Sequence, residues 1–262
     1  MDLWVIEVGS LQLGLIELLA LIISGIIAGF VNTLAGGGSI FTLPALMLLG
    51  MPADVANGTN RVGVFLQSVA AVRGFNQHGK LATQAIVPIL VPTVIGSLAG
   101  SIVASYLPVD ILKPVLIFTM IAMTLVIILK PSAIPAEHEI PLSLTEKPAG
   151  IAWLFVAGLY GGFVQAGVGF ILIAALAGVL RYDLVRANAL KMVCTLVFGT
   201  VALAVFVVRD QVMWIPGLIM GVATIIGVQL SVKFAVNAQH ATLKWILLGM
   251  SLIVCIAALL KA

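Results

Sequence analysis

Ten apolar runs follow one another along the chain, at 11–33, 38–51, 55–75, 82–106 and 109–130, then at 148–167, 169–180, 183–208, 213–236 and 240–261. Only short polar joints separate them. A soluble domain could not fold this way, because about a quarter of its residues are charged and cover its surface. Here 9% of 262 residues are charged, 62% are hydrophobic, and the mean hydropathy is +1.24. The pattern predicts an all-α polytopic membrane protein in which each segment satisfies its own backbone groups. The first ten residues, MDLWVIEVGS, are acidic and lack a basic stretch, so entry through the first span is expected rather than a cleaved leader. In such a chain a net charge of +3 points to cytoplasmic loops and not to nucleic acid.

The runs fall into two sets of five. GIIAGFVN from Gly25 matches GLYGGFVQ from Gly158 at an offset of 133. Asn57 matches Asn188 at 131, and that offset holds for Val62, Phe75, Gly96, Ala104, Leu112 and Lys113 with Val193, Phe206, Gly227, Ala235, Leu243 and Lys244. Two structural repeats are therefore expected, 1–130 and 148–262, joined by a cytoplasmic linker at 131–147. The linker holds His138 between two glutamates and reads as a solvated segment.

An odd number of crossings per repeat inverts the second half. With ten crossings and the N-terminus outside, Arg73, Lys80, Lys130, Lys147, Arg181, Arg186, Lys191, Lys233 and Lys244 lie inside. Arg61, Lys113, Arg209 and Lys261 lie outside, a bias of nine to four. If 38–51 and 169–180 only dip in, eight spans remain and the split is six to seven, so the positive-inside rule favours inversion. Twelve helical residues rise only about 18 Å against a core of about 30 Å. The second element of each half is thus expected to be a short broken helix near the midplane, beside irregular backbone that lines a cavity or is buried.

Polar residues concentrate around those breaks. Asn32 precedes Gly36-Gly37-Gly38-Ser39, where three glycines interrupt the helical pattern. Two readings stand: a tight packed turn, or free amides at a helix N-terminus suited to an anion. Gln165-Ala166-Gly167 is a weaker break in the second half. Asn57, Thr59, Asn60 and Arg61 open the third run, and Asn188 and Lys191 occupy the equivalent place. A cation inside a span is functional by default, although snorkelling to the interface also explains it. Glu17 is the clearest carboxylate within a span, readable as a proton-coupling group or as an interfacial residue. Cations, amides and hydroxyls with few carboxylates point to an anionic substrate. Cys194 and Cys255 read as packing residues. Gly74 to Lys80 fits GxxxxGK, but Leu81 replaces the magnesium-binding hydroxyl, so a basic loop is expected. No metal, cofactor or catalytic pattern is present in the sequence, and an enzyme is not expected.

The glycine cluster followed by Pro44-Ala45-Leu46, then Ala-Asn-Gly-Thr-Asn at 56–60 and the second-half ANALKM at 187–192, resembles the sulfite exporter TauE/SafE family over essentially the whole chain. The sequence departs from that family in having Thr59-Asn60 where Thr-Ser is common, and in its thin second glycine cluster. The resemblance implies a prokaryotic inner-membrane permease of two repeats, transporting sulfite, thiosulfate or organosulfonates, often outward. The corresponding expectation is a secondary carrier working by alternating access, without cofactor, with lipid and a small anion as partners and a homodimer allowed. Gly36, Gly37, Gly38 and Ser39 would supply amides and a hydroxyl, and Arg61 and Lys191 charge. Asn32, Asn57, Thr59, Asn60, Gln165 and Asn188 would supply hydrogen bonds. An anion channel and a non-transporting membrane subunit are the alternatives.

Overall fold

The computed structural model describes residues 6–8, 11–34, 36–129 and 140–237. A short antiparallel ribbon, β1 (Ile6–Val8) and β2 (Leu11–Leu13), pairs Ile6 with Leu13 and was not expected from the all-α reading. Everything else regular among the described residues is helical. In the first half stand α1 (Leu15–Leu34), α2 (Ser39–Leu48), α3 (Ala53–Gln77), α4 (Ile86–Tyr106) and α5 (Val109–Leu129). In the second stand α6 (Ala149–Phe163), α7 (Val168–Ile173, continuing as a π-helix over Ala174–Val179), α8 (Leu184–Val208) and α9 (Trp214–Asn237). Nine of the ten expected runs are helices close to the expected bounds. The tenth run, Cys255 and most of the linker, including His138, lie outside the described residues.

Burial is inverted relative to a soluble domain. Val87, Ile102, Phe118, Val222 and Leu230 face outward, while Arg61 and Lys191 are each only 1% exposed. An apolar exterior around a polar interior suits lipid as solvent. Among the described residues, four segments are long and apolar enough to cross a membrane: Leu15–Leu34, Thr83–Tyr106, Leu184–Val208 and Trp214–Asn237. The 25-residue α3 is long enough too, but Asn57, Thr59, Asn60, Arg61 and Gln67 make it the least apolar of the long helices.

Small residues let the helices approach backbone to backbone. Gly25 lies against Met220 and Ala223, Gly29 against Thr224, and Gly227 against Ile26 and Phe30, so α1 and α9 run in the same direction. Ser231 Oγ donates to the Phe30 carbonyl at 3.0 Å across this contact. Gly158 against Thr93, Gly96 against Phe155 and Leu159, and Gly162 against Ser97 build the same contact between α6 and α4. Helix α3 also runs with α9, through Gly217 on Thr59 and Val62, and Gly74 on Val232. Helix α8 runs the opposite way, its N-terminal half at the end of α1 and Phe206 beside Gly58 at the start of α3.

The register between the halves differs from the one GFVN and GFVQ suggest. Helix α1 ends at Leu34 and α6 at Phe163; α2 starts at Ser39 and α7 at Val168. The positive φ of Gly36 (+92°) recurs at Gln165 (+67°), and the second break has a further left-handed residue, Gly167 (+81°), where Gly38 is right-handed. The helix ends, the Gly36–Gln165 pair and the glycine contacts correspond at an offset of 129, one helical turn from 133. A small-xxx-small repeat matches itself after a four-residue slip, which is why the sequence does not separate the two registers. From α3 onward the offset is 131, and the two additional residues are taken up where α7 widens into its π-helical turn.

Candidate functional site

At each break the chain turns sharply. Gly38 folds back against Ala28 and Asn32 of α1, and the two breaks cross where Gly36 meets Gly169, whose N–H donates to the Gly36 carbonyl at 3.3 Å. A side chain on Gly36 would strike the Gly169 backbone, and its left-handed φ disfavours one in any case.

Ending a helix inside the membrane strands its last carbonyls and exposes the negative end of its dipole. Both ends are met by a cation from the opposite half. Arg61 Nη1 donates to the Gly161 carbonyl at 3.0 Å. Its Nη2 donates to Gly162 at 2.5 Å, Phe163 at 3.4 Å and Asn57 Oδ1 at 3.5 Å, and Asn57 Nδ2 adds a bond to Phe163 at 2.9 Å. The guanidinium lies 4.7 Å from the Phe206 ring centre. Lys191 Nζ donates to Asn32 at 2.8 Å, Thr33 at 2.9 Å and Asn188 Oδ1 at 2.8 Å. Asn32 and Thr33 stand to Gly161 and Gly162 as α1 stands to α6, so one device is built twice. All three ammonium protons of Lys191 are thereby engaged.

A small cavity opens beside the first break, lined by Gly38, Ser39, Thr42, Asn60, Gln67 and Thr224, with Ala28, Gly63, Val64 and Met220 as its apolar wall. It leaves about 10 Å³ for the centre of a water-sized sphere, room for one water. Asn60 to Gln67 are the eighth to fifteenth of the 25 residues of α3, so the cavity lies near mid-span. Asn60 is its hub: Nδ2 donates to Ser39 Oγ at 3.1 Å, and Oδ1 accepts from Thr42 Oγ1 at 2.6 Å. Ser39 Oγ keeps its own proton undirected among the described residues. Gln67 is 2% exposed and makes no hydrogen bond there. No side chain caps the start of α2, whose N-terminal end faces the same space.

Of the residues singled out in the sequence, the cavity gathers Gly38, Ser39 and Asn60. Gly36 and Gly37 form the turn behind it. Thr59 Oγ1 accepts from the Met213 N–H at 2.9 Å and pins the turn between α8 and α9. Gln165 is 2% exposed, adopts a left-handed backbone, and both its amide atoms are buried without a hydrogen bond, as is Asn188 Nδ2. Glu17 lies in the first turn of α1, about three turns from Ala28, and does not reach the cavity. Thr42, Gln67 and Thr224 were missed. Asn60, Gly63, Val64 and Gln67 follow i, i+3, i+4, i+7 spacing on one face of α3, the signal that could have found Gln67.

The second half has no equivalent lining. Val168, Ile171, Lys191, Cys194 and Phe198 occupy the places of Ser39, Thr42, Asn60, Gly63 and Gln67. The Phe198 ring packs against Gly161 and fills the corresponding space.

Broken helices whose ends are capped by buried cations, with a polar cavity at the break, suit a multi-pass membrane transporter. Residues 21–258 match the family model of the sulfite exporter TauE/SafE, and the chain belongs to that family. A probable membrane transporter protein of Haemophilus influenzae is 28% identical over 237 residues, covering 90% of this chain and 92% of that one. The probable membrane transporter protein ORF9 of a Sinorhizobium species is 26% identical over 239 residues, 91% of each chain. The probable membrane transporter protein YfcA of Escherichia coli K12 is 23% identical over 259 residues, 97% of this chain and 90% of that one.

Proposed function

We propose that the chain is a secondary carrier that moves a small sulfur-containing anion, such as sulfite or an organosulfonate, out of a prokaryotic cell. The two halves act as inverted repeats that rock about the crossed breaks, in the manner of transporters built from broken helices. The observation that carries this reading is the mid-span cavity between α1, α2 and α3 of one half and α9 of the other. It offers the unfilled N-terminal end of a half-helix, the Ser39 hydroxyl and the Asn60 and Gln67 amides, all suited to an oxyanion.

In this reading Gly36 to Gly38 shape the turn, and Ser39, Asn60 and Gln67 touch the anion. Arg61, Asn57, Lys191 and Asn188 hold the breaks, and Asn32, Thr59 and Gln165 support them. The cavity has room for one water, so α2 must shift to admit substrate. Opening towards one face and then the other would follow from sliding α1 with α9 against α6 with α4, because those pairs have equivalent glycine contacts. Energy comes from the substrate's own gradient or a coupled ion.

Counterflow in proteoliposomes tests the proposal. Vesicles loaded with unlabelled sulfite should accumulate labelled sulfite transiently above its external concentration, and Asn60→Leu should abolish the overshoot. Rapid equilibration without an overshoot would make the protein a channel, and no flux would make it a non-transporting subunit.

A further inference from the structure

We infer that the mid-span cavity selects monovalent anions, such as hydrogensulfite or an alkanesulfonate, and rejects divalent ones such as sulfate, thiosulfate and fully ionised sulfite. This rests on the cavity being the substrate site. Its polar lining, Gly38, Ser39, Thr42, Asn60, Gln67 and Thr224, contains no charged side chain, and neither does its apolar wall. Neither of the two cations buried among the described residues lines it. Arg61 is directed onto the end of α6, and Lys191 spends all three protons on Asn32, Thr33 and Asn188.

The remaining positive potential is the N-terminal end of α2, equivalent to about half an elementary charge. The cost of removing an ion from water rises with the square of its charge, so a dianion costs about four times as much as a monoanion of the same size. Half a charge and a few neutral donors suit the second and not the first.

The donor set agrees. Gln67 presents an amide to the cavity without a partner, so it brings an acceptor as well as a donor. An acceptor facing a fully ionised oxyanion is repulsive, whereas facing a protonated oxyanion it receives a hydrogen bond. Once α2 has shifted, the apolar wall of Ala28, Val64 and Met220 would face the alkyl part of a sulfonate.

The test is titration calorimetry on purified protein in lipid nanodiscs at constant ionic strength. Methanesulfonate and hydrogensulfite should bind at least about tenfold more tightly than sulfate or thiosulfate, as the desolvation difference requires. Sulfite affinity should fall as the pH is raised through the loss of its second proton, while methanesulfonate affinity stays level. Equal binding of the dianions, or sulfite affinity that ignores this pH, overturns the inference and leaves the carrier reading intact. Absence of binding by every sulfur anion overturns both. The Gln67→Leu variant should weaken hydrogensulfite more than methanesulfonate, since only the former has a proton for Oε1; equal losses would remove Gln67 from the selection.

Discussion

Arg61 illustrates what a single residue can and cannot tell. A guanidinium eight residues into a span must be satisfied, and the alternatives on paper were a substrate or the interface. Its partners are instead the Gly161 and Gly162 carbonyls, a hundred residues away in the chain. Arg61→Ala leaves those carbonyls without a charged donor in a dry environment, a loss of about 2–3 kcal/mol. The detergent-solubilised variant should unfold at a lower temperature, with Arg61→Lys in between. An unchanged unfolding temperature together with lost transport would instead return Arg61 to direct contact with the anion. Ser39→Ala should have a different profile: it leaves the buried Asn60 Nδ2 without its acceptor, a loss of about 1 kcal/mol, smaller than that of Arg61→Ala, while sulfite counterflow falls. Arg61, Lys191, Asn57, Asn60 and Asn188 were legible as buried polar residues because ionisable and amide groups are rare in apolar runs, while Gln67 was not. Which of them face substrate and which face backbone was not, because the carbonyls they cap carry no side-chain signature.

The elements were legible from hydrophobic length alone. The runs at 38–51 and 169–180 were too short to cross, and α2 and the α7 helix with its π-helical turn are correspondingly short. Each begins at a break inside the membrane, which requires both a cation at the preceding helix end and close passage of the breaks. Gly36→Ala tests the passage. The added methyl meets the Gly169 backbone and stiffens a left-handed turn, so the variant should be poorly expressed or monodisperse only with a strongly lowered melting temperature. Gly79, also left-handed, has nothing within 4 Å of an added Cβ, and Gly79→Ala isolates the backbone cost. It should be milder by a wide margin. The widened turn over Ala174–Val179 had no sequence signal, since a π-helical turn arises where tertiary packing must absorb extra residues.

At the scale of the whole molecule, two faces can be told apart. Leu142 N–H donates to the Leu180 carbonyl at 2.9 Å, placing the linker beside the end of the α7 segment. On the other face Gln211 Nε2 reaches Asp54 Oδ2 and the Ser105 carbonyl, both at 3.2 Å, and Arg209 lies over the Tyr106 ring. Arg73, Lys80, Lys147, Arg181, Arg186 and Lys233 accompany the linker, and Lys113 and Arg209 lie opposite. From the positive-inside rule we propose that the linker face is the cytoplasmic one. Single cysteines at His78 and Thr145, in a background lacking Cys194 and Cys255, should react with an impermeant maleimide only in inside-out vesicles. One at Asp210 should react only in intact, right-side-out spheroplasts. The reverse pattern would overturn the orientation.

By itself the sequence determined the solvent, the helices, the duplication and the places where helices break. Each follows from local composition: apolar length, glycine content and polar residues too expensive to bury without purpose. Tertiary structure alone decided the register between the halves, the crossed pairing of Arg61 and Lys191 with opposite helix ends, and the position of the cavity beside the first break. The physical reason is common to all three. A four-residue glycine repeat matches itself after one turn, helix-end carbonyls look alike in any sequence, and the space Gln67 leaves open is closed by Phe198 in its twin. Such differences exist only when segments more than a hundred residues apart are packed together.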